Sequence, residues 1–306
     1  MTGSTIGVVN EAFYFIAAFS FLLFFGIVFF MVYFLVRYRR SRNPVATEIH
    51  GNAWLEVLWV VLPTALALAM FGYGLTGYQF LRSPPAGALD VAVHSRQWSW
   101  LFEYPNGARS PDLVVPVGRD VRLTLTSDDV IHAFYAPAFH IQVDTVPGMK
   151  TQAWFRGPSV GSYDILCAQY CGQGHSSMLA KLYVVPAQDY ARWYGGGSVQ
   201  LAGTTLPSLN ASGAELLSQR GCLSCHSLDG TKKIGPTFKD LFGSRVEVTT
   251  SGVERQLIAD EAYIRKSILD PGADIVEGYP NIMPSGKGLL SDTELDDIVG
   301  FLKQLK

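Results

Sequence analysis

No cysteine in this chain is spare. There are four among 306 residues, and all four lie in two short runs, CAQYCGQGHSSM (Cys167 to Met178) and CLSCH (Cys222 to His226). Histidine is scarce as well, with six residues in the whole chain, so a site rich in imidazole has little to draw on beyond those runs. Charge is thin and balanced: 24 Lys and Arg against 26 Asp and Glu, a net of −2. That balance gives no basic surface for nucleic acid and no strong field of either sign to select a partner. There are no internal repeats. At this length the chain accommodates two modest domains and additional segments.

What the average composition hides is local. No charged residue lies between Glu11 and Arg37, and none between Glu56 and Arg82. Each stretch is about 25 residues long, enough for a helix to cross roughly 30 Å of hydrocarbon. Spans near 12–36 and 55–81 are expected, forming a transmembrane hairpin over residues 1–85. A signal peptide is the competing reading of the first stretch. It is disfavoured because no basic region precedes it and no small-residue cleavage site follows. Arg37, Arg39, Arg40 and Arg42 follow instead. Basic loops stay on the cytoplasmic side, so both termini and everything after Arg82 are expected outside. In that compartment free thiols risk oxidation, and ligation to a metal or a haem would protect them.

Residues 88–187 read as β. DVRLTLT alternates Val121, Leu123 and Leu125 with polar neighbours, AKLYVVPA looks like a closing strand, and Pro105-Asn106-Gly107 and Pro116-Val117-Gly118 mark turns. A β-sandwich or barrel is expected. Residues 188–209 hold the Gly-rich run from Gly195 to Gly203, which reads as a flexible connector. Residues 210–306 read as all helical. Ser212 with Glu215 and Ser291 with Glu294 form capping boxes, DEAYIRKSILD is stopped by Pro271, and Leu295, Ile298, Val299, Leu302 and Leu305 share one face of a last helix.

The first cysteine run is dense in metal donors. Cys171 follows Cys167 at four residues, His175 follows at four more, Met178 three later, and His132 lies upstream at a strand end. Two thiolates, two imidazoles and a thioether form a soft set that suits copper. A mononuclear blue-copper site needs one Cys, so the second allows two thiolates to bridge a pair of ions. A Cys167–Cys171 disulfide and a zinc site are the alternatives, the latter weakened by Met178 and by spacing wider than C-x₂-C. The stretch resembles the dinuclear copper (CuA) loop of cytochrome c oxidase subunit II, and the resemblance extends over QWSWLFEYPNG and VIHAFYAPAFHIQVDTVPG to nearly the whole chain. It implies a cupredoxin-like domain whose copper ligands are His132, Cys167, Cys171, His175, Met178 and the backbone carbonyl of Gln169. It further implies that electrons enter at Trp98, whose bland alternative is a packed core residue. Glu56 takes the place associated with a proton-channel mouth, or else is a solvated boundary carboxylate. Gln169 stands where the family usually has a Glu that helps hold magnesium at the subunit I boundary. A neutral amide is a poorer ligand for a hard cation, so that magnesium site is in doubt. His94 and His140 are given no role.

CLSCH matches C-x-x-C-H, the attachment signature of c-type haem. Cys222 and Cys225 would form the thioethers and His226 the proximal axial ligand. A thioredoxin-like C-x-x-C is opposed by the following His and by the absence of a βαβ pattern. From Gly221 onward the chain has one methionine, Met283, in NIMPSG, leaving it as the sixth ligand. A His/Met pair raises the haem potential and fills the coordination sphere. Pro236 in IGPTF resembles the proline whose carbonyl orients the proximal histidine.

The resemblance therefore implies an electron-input subunit of a bacterial haem–copper oxidase of the caa type, carrying a fused cytochrome c. Its expected partners are subunit I, other membrane subunits, lipid, and an outside donor such as a cytochrome c or a quinol-oxidising complex. Input to a copper-containing nitric-oxide reductase, or a free-standing membrane-anchored carrier, are the other readings. The 11 basic and 14 acidic residues from Asn210 onward do not single out the donor by steering.

Overall fold

The computed structural model of this protein describes residues 5–45, 48, 50–206, 209, 213–287 and 290–305. It falls into two units, one up to Pro84 and one from Pro85 onward.

The first unit consists of helix α1 (Thr5–Arg37) and helix α2 (Ala53–Leu81). Both are apolar around their circumference and turn large side chains such as Phe25, Phe29, Leu35, Leu58 and Phe71 outward. A helix with no polar face needs lipid around it or a protein partner. The two run antiparallel. Val8 packs 3.3 Å from the point where Gly77 would carry a Cβ. The rings of Phe15 and Tyr73 lie 5.2 Å apart, and the Tyr73 hydroxyl is 3.5 Å from the Glu11 carboxylate. Helix α1 starts earlier than the charge pattern marks, because nothing in Thr5–Asn10 stops a helix. The Asn52 side chain caps α2 by accepting from Trp54 N and Leu55 N, and Glu56 sits exposed in its first turn.

The second unit opens with ten strands: β1 (Leu89–Arg96), β2 (Ser99–Glu103), β3 (Arg109–Ser110), β4 (Leu113–Pro116), β5 (Asp120–Ser127), β6 (His132–Ala136), β7 (Ile141–Thr145), β8 (Thr151–Arg156), β9 (Gly161–Cys167) and β10 (Leu179–Val185). They form two five-stranded sheets, ordered β3-β2-β1-β5-β8 and β4-β10-β9-β6-β7. Alternation drives the arrangement. Along β5 every second residue is buried, so one face of the sheet is apolar and must be covered. The covering face brings Phe134 of β6 against Trp100 of β2, edge to face at 5.7 Å. Phe102, Leu123, Leu125, Phe155, Ile165 and Leu182 complete a core fully shut off from solvent. This is the expected cupredoxin-like sandwich.

The reading of 188–209 as a flexible connector is corrected. The segment begins inside α3 (Ala187–Tyr194), whose Trp193 is 1 % exposed and packs on Tyr104. A hairpin of β11 (Gln200–Leu201) and β12 (Thr204–Thr205) follows, flanked by buried Val199 and Leu206. Gly196 and Gly203 have φ of 85° and 84°, so these glycines serve turns that other residues would strain to make.

The C-terminal part contains α4 (Gly213–Gln219), α5 (Cys222–Cys225), β13 (Arg245–Thr250), β14 (Val253–Ile258), α6 (Glu261–Leu269), β15 (Ile275–Val276) and α7 (Asp292–Gln304). Helix α7 lays Leu295, Ile298, Val299 and Leu302 against Leu216 and Leu217 of α4. The close crossing needs Gly213, where a Cβ would stand 2.3 Å from the Asp297 carbonyl. The Ser291–Glu294 capping box is present; Ser212 of the other lies outside the described residues. The all-helical expectation holds for this core but not for its flank, where β14, β13 and β15 form a three-stranded sheet. The signal was legible: RVEVTT and VERQLI alternate around Ser251-Gly252, both at positive φ, as a tight hairpin turn demands.

Asp274 ties that flank to α6. Its carboxylate is 4 % exposed, accepts from Lys266 at 2.5 Å and Arg255 at 3.0 Å, and bonds Thr250. The bonds from Lys266 and Thr250, against the cost of burial, bring its pKa from 3.8 to about 2. A depressed carboxylate contributes stability that is present above its unfolded pKa and lost as pH falls through the folded value. Asp274→Asn is therefore expected to cost about 1–2 kcal/mol at neutral pH. In equilibrium unfolding, the gap between wild type and variant should narrow as pH falls from about 4 towards 2.

Candidate functional site

Strand pairing assembles the first site. β6 and β9 are neighbours, with Phe134 opposite Cys167, so His132 at the start of β6 stands beside Cys167 at the end of β9. The loop to β10 then folds back over this edge. Donor atoms of His132, Cys167 and Cys171 all lie within 4.8 Å of one another. The two sulfurs are 3.8 Å apart and not joined; a disulfide would need about 2 Å. Cys167 Sγ lies 3.2 Å from the Gln169 carbonyl, and Cys171 Sγ lies 3.5 Å from His175 Nδ1 and 3.9 Å from Met178 Sδ. Every donor that the sequence pattern names is thus gathered in one place.

The protonation of the site is in tension. Burial pushes the Cys171 thiol up, and the neighbouring Cys167 charge pushes it further, to about 12. Burial also opposes ionisation of Cys167, but the adjoining His132 ring and the Ala133 backbone outweigh it and bring that thiol down to about 6. His132 is penalised by burial, yet Asp129 and Cys167 together raise it to about 9. Two thiols this close cannot both ionise cheaply unless a cation sits between them. His132 gives a second indication. Its Nε2 is 2.8 Å from Asp129 Oδ1, while its buried Nδ1 has no hydrogen-bond partner among the described residues. A buried nitrogen without a partner is costly, and a metal ion would use it. These residues fit a soft, thiolate-binding metal such as copper.

The β1–β2 turn buttresses the loop. Gln97 Nε2 and Trp98 Nε1 both donate to the Cys171 carbonyl, at 2.7 and 3.2 Å. Trp98 is buried, and the loop lies so close to it that a Cβ on Gly174 would stand 2.4 Å from its ring. Gly172, at φ +116°, meets Gln97 and Trp98 in the same way. Asp129 also accepts from Gln97 N at 2.7 Å. Asp129 and Gln97 were not singled out from sequence. The one available signal is the spacing of Asp129 three residues before His132. Glu56 lies in the other unit, and His94 and His140 belong to β1 and to the turn before β7, apart from the donor cluster.

The second site is a cavity. Gly221, at φ +74°, opens α5, whose Cys222 and Cys225 line the cavity with His226. Met283 and Pro284 line it as well. His226 Nδ1 lies 2.6 Å from the Pro236 carbonyl. That bond assigns the proton to Nδ1 and leaves the Nε2 lone pair for a metal. Burial lowers the His226 pKa, which keeps the ring neutral. Phe238 stacks on the ring at 4.4 Å, and a Cβ on Gly235 would come within 2.7 Å of it. The residues fit a covalently attached haem: an apolar cavity with two thiols and a neutral, oriented imidazole on its wall.

Three family models match this chain in order: "Cytochrome C oxidase subunit II, transmembrane domain" over residues 5–75, "Cytochrome C oxidase subunit II, periplasmic domain" over 108–185, and "Cytochrome c" over 210–306. Cytochrome c oxidase subunit 2 of Alkalihalophilus pseudofirmus is 28 % identical over 92 % of this chain and 83 % of its own length. That of Bacillus subtilis is 28 % identical over 90 % and 82 %. The alternative cytochrome c oxidase subunit 2 of Bradyrhizobium diazoefficiens is 30 % identical over 56 % and 73 %. The fold and the matches define a membrane-anchored electron-transfer subunit of an oxidoreductase complex. The chain belongs to the cytochrome c oxidase subunit II family, in the form that continues into a cytochrome c domain, as in caa-type oxidases.

The glycines at these contacts give a paired test. Gly174→Ala should destabilise the protein by about 1–3 kcal/mol through overpacking against Trp98. Gly300→Ala, at a helical position with nothing within 4 Å, should instead stabilise it by about 0.5–1 kcal/mol. Urea unfolding of the two variants reads both signs.

Proposed function

We propose that this subunit takes electrons from an external donor through a haem c to a CuA centre and on to subunit I, which reduces O₂ to water with proton translocation. Membership of the family supports partnership with subunit I. The observation that carries the rest is the thiol pair at 3.8 Å surrounded by His132, His175, Met178 and the Gln169 carbonyl. When bound there, two coppers sharing two thiolates supply a one-electron carrier whose geometry changes little between redox states.

The chain's own residues do the holding. Cys167, Cys171, His132, His175, Met178 and the Gln169 carbonyl would hold the copper, with the His132 ring fixed by Asp129. A donor set supplied wholly by the protein would exclude water and substrate. In the C-terminal domain Cys222 and Cys225 would anchor the porphyrin, and His226, oriented by the Pro236 carbonyl, and Met283 would be the ligands to its iron. Trp98, bonded to the Cys171 carbonyl, is a route for electrons into the copper loop. Glu56 marks the mouth of a proton channel. The Arg-rich loop after α1 faces the cytoplasm of a bacterial inner membrane, which puts both redox domains on the outer side.

Electron input to a nitric-oxide reductase is the second reading, and Gln169 favours it. Its side chain is exposed beside the copper loop and neutral where a magnesium ligand is expected. The magnesium or manganese content of the purified complex tests whether Gln169 removes that site. A low content accords with loss of the site, and a tightly held stoichiometric ion contradicts it.

Two substitutions test the ligand sets. Cys171→Ser should abolish the purple and near-infrared absorption of the copper pair and leave the haem spectrum intact; an unchanged spectrum removes the copper assignment. Met283→Ala should lower the haem potential and open a position that carbon monoxide occupies. Failure to bind carbon monoxide would remove Met283 as a ligand.

A further inference from the structure

Between α6 and α7 the chain supplies much of the lining of the haem cavity, with Asp274, Val276, Tyr279, Met283 and Pro284 among the lining residues. The stretch is irregular apart from the short strand β15. A thioether on such a stretch has no rigid element behind it. Its position depends on how the chain is tied on either side.

Both sides are tied. Downstream of Met283, Ser285 Oγ donates to the Leu269 carbonyl at 2.6 Å and Gly286 N to the Ile268 carbonyl at 2.8 Å, using carbonyls that the end of α6 leaves free. A Cβ on Gly286 would stand 2.9 Å from the Ile268 side chain and 3.0 Å from its carbonyl, so the chain can lie this close only as glycine. Upstream, the tie is Asp274. Its buried carboxylate accepts from Lys266 of α6 and Arg255 of β14 and bonds Thr250 of β13. The residues after it join the same sheet: Ile275 pairs with Thr249, Val276 with Val248, and Glu277 N donates to the Glu247 carbonyl at 2.9 Å. One carboxylate thus ties three elements together through charge-assisted bonds, at the point where the Met283 segment begins.

We propose that Asp274, acting through the β13–β14 hairpin, is a positioning residue that keeps Met283 in place as the sixth haem ligand. It does not touch the iron; it fixes the upstream end of the segment that carries the sulfur. The idea rests on the reading of Met283 as that ligand. It adds a task for the three-stranded sheet, which is to hold the methionine segment against the cavity.

The test uses the full oxidase complex with Asp274→Ala, Asp274→Asn, Thr250→Val and, for comparison, Val299→Ala. Val299 is buried in the packing of α7 on α4 and does not line the cavity. Covalent haem content is measured first by the pyridine haemochrome assay. The readouts are then the far-red band that a methionine sulfur gives ferric haem, carbon monoxide binding by the ferrous haem, and the midpoint potential. Asp274→Ala should keep its covalent haem, lose most of the band, bind carbon monoxide and shift to a lower midpoint. Asp274→Asn, which keeps an acceptor without the charge, should fall between it and wild type. Thr250→Val should lose the band on warming at a lower temperature than wild type. Val299→Ala should lower the unfolding temperature and leave the band at full strength. If wild-type haem c lacks the band, or Met283→Ala retains it, the Met283 reading falls and the proposal with it. If wild type has the band and Asp274→Ala matches it in all three readouts, the proposal is wrong while the Met283 reading stands. It is equally wrong if Val299→Ala loses the band to the same extent, because general loosening of the domain then suffices. If Asp274→Ala does not accumulate, wild-type behaviour of both Asp274→Asn and Thr250→Val overturns the proposal.

Discussion

Two thiols held 3.8 Å apart without bonding to each other are the constraint on which the copper domain depends. Left to themselves they compete, one ionising at the other's expense, and a cation resolves the conflict. The sandwich is arranged to impose that proximity. The β6–β9 register sets His132 beside Cys167, the loop returns Cys171 over them, and the β1–β2 turn pins the Cys171 carbonyl with two hydrogen bonds. Gly172 and Gly174 let the loop lie against Trp98 at a distance no side chain permits. A preorganised site of this kind changes little between redox states, the property a carrier needs.

The same turn reaches the second site. Arg96 and Ser99 contact the residues just before the haem-attachment motif, while Gln97 and Trp98 contact the copper loop. A fused domain on a loose tether would gain only effective concentration. Here α3 and the hairpin that follows it are packed structure, and the cytochrome domain meets the copper domain through specific bonds. In the proposed electron path, geometry as well as concentration is then set by the chain.

How much of this could be read from sequence depends on separation along the chain. The hairpin helices, the sandwich, Cys167 to Met178 and CLSCH were legible because their signals are local: uncharged runs, alternation, and donors a few residues apart. The Gly-rich stretch misled because turn glycines and linker glycines look alike until Trp193, Val199 and Leu206 are seen buried. The β13–β14 hairpin carries a visible alternation, but it lies among strong helical signals on either side. Arg96 and Arg220 could not be paired beforehand. They stand 124 residues apart, and only the docked domains bring them together. Asp129 belongs to the same class, since its role exists only once His132 is buried with one nitrogen to spare.

If this thiol pair holds two equivalent copper ions that share one unpaired electron, electron paramagnetic resonance of the oxidised complex will show hyperfine structure from two equivalent nuclei, lost together in a single step on reduction. Hyperfine structure from a single copper nucleus at this site would contradict it.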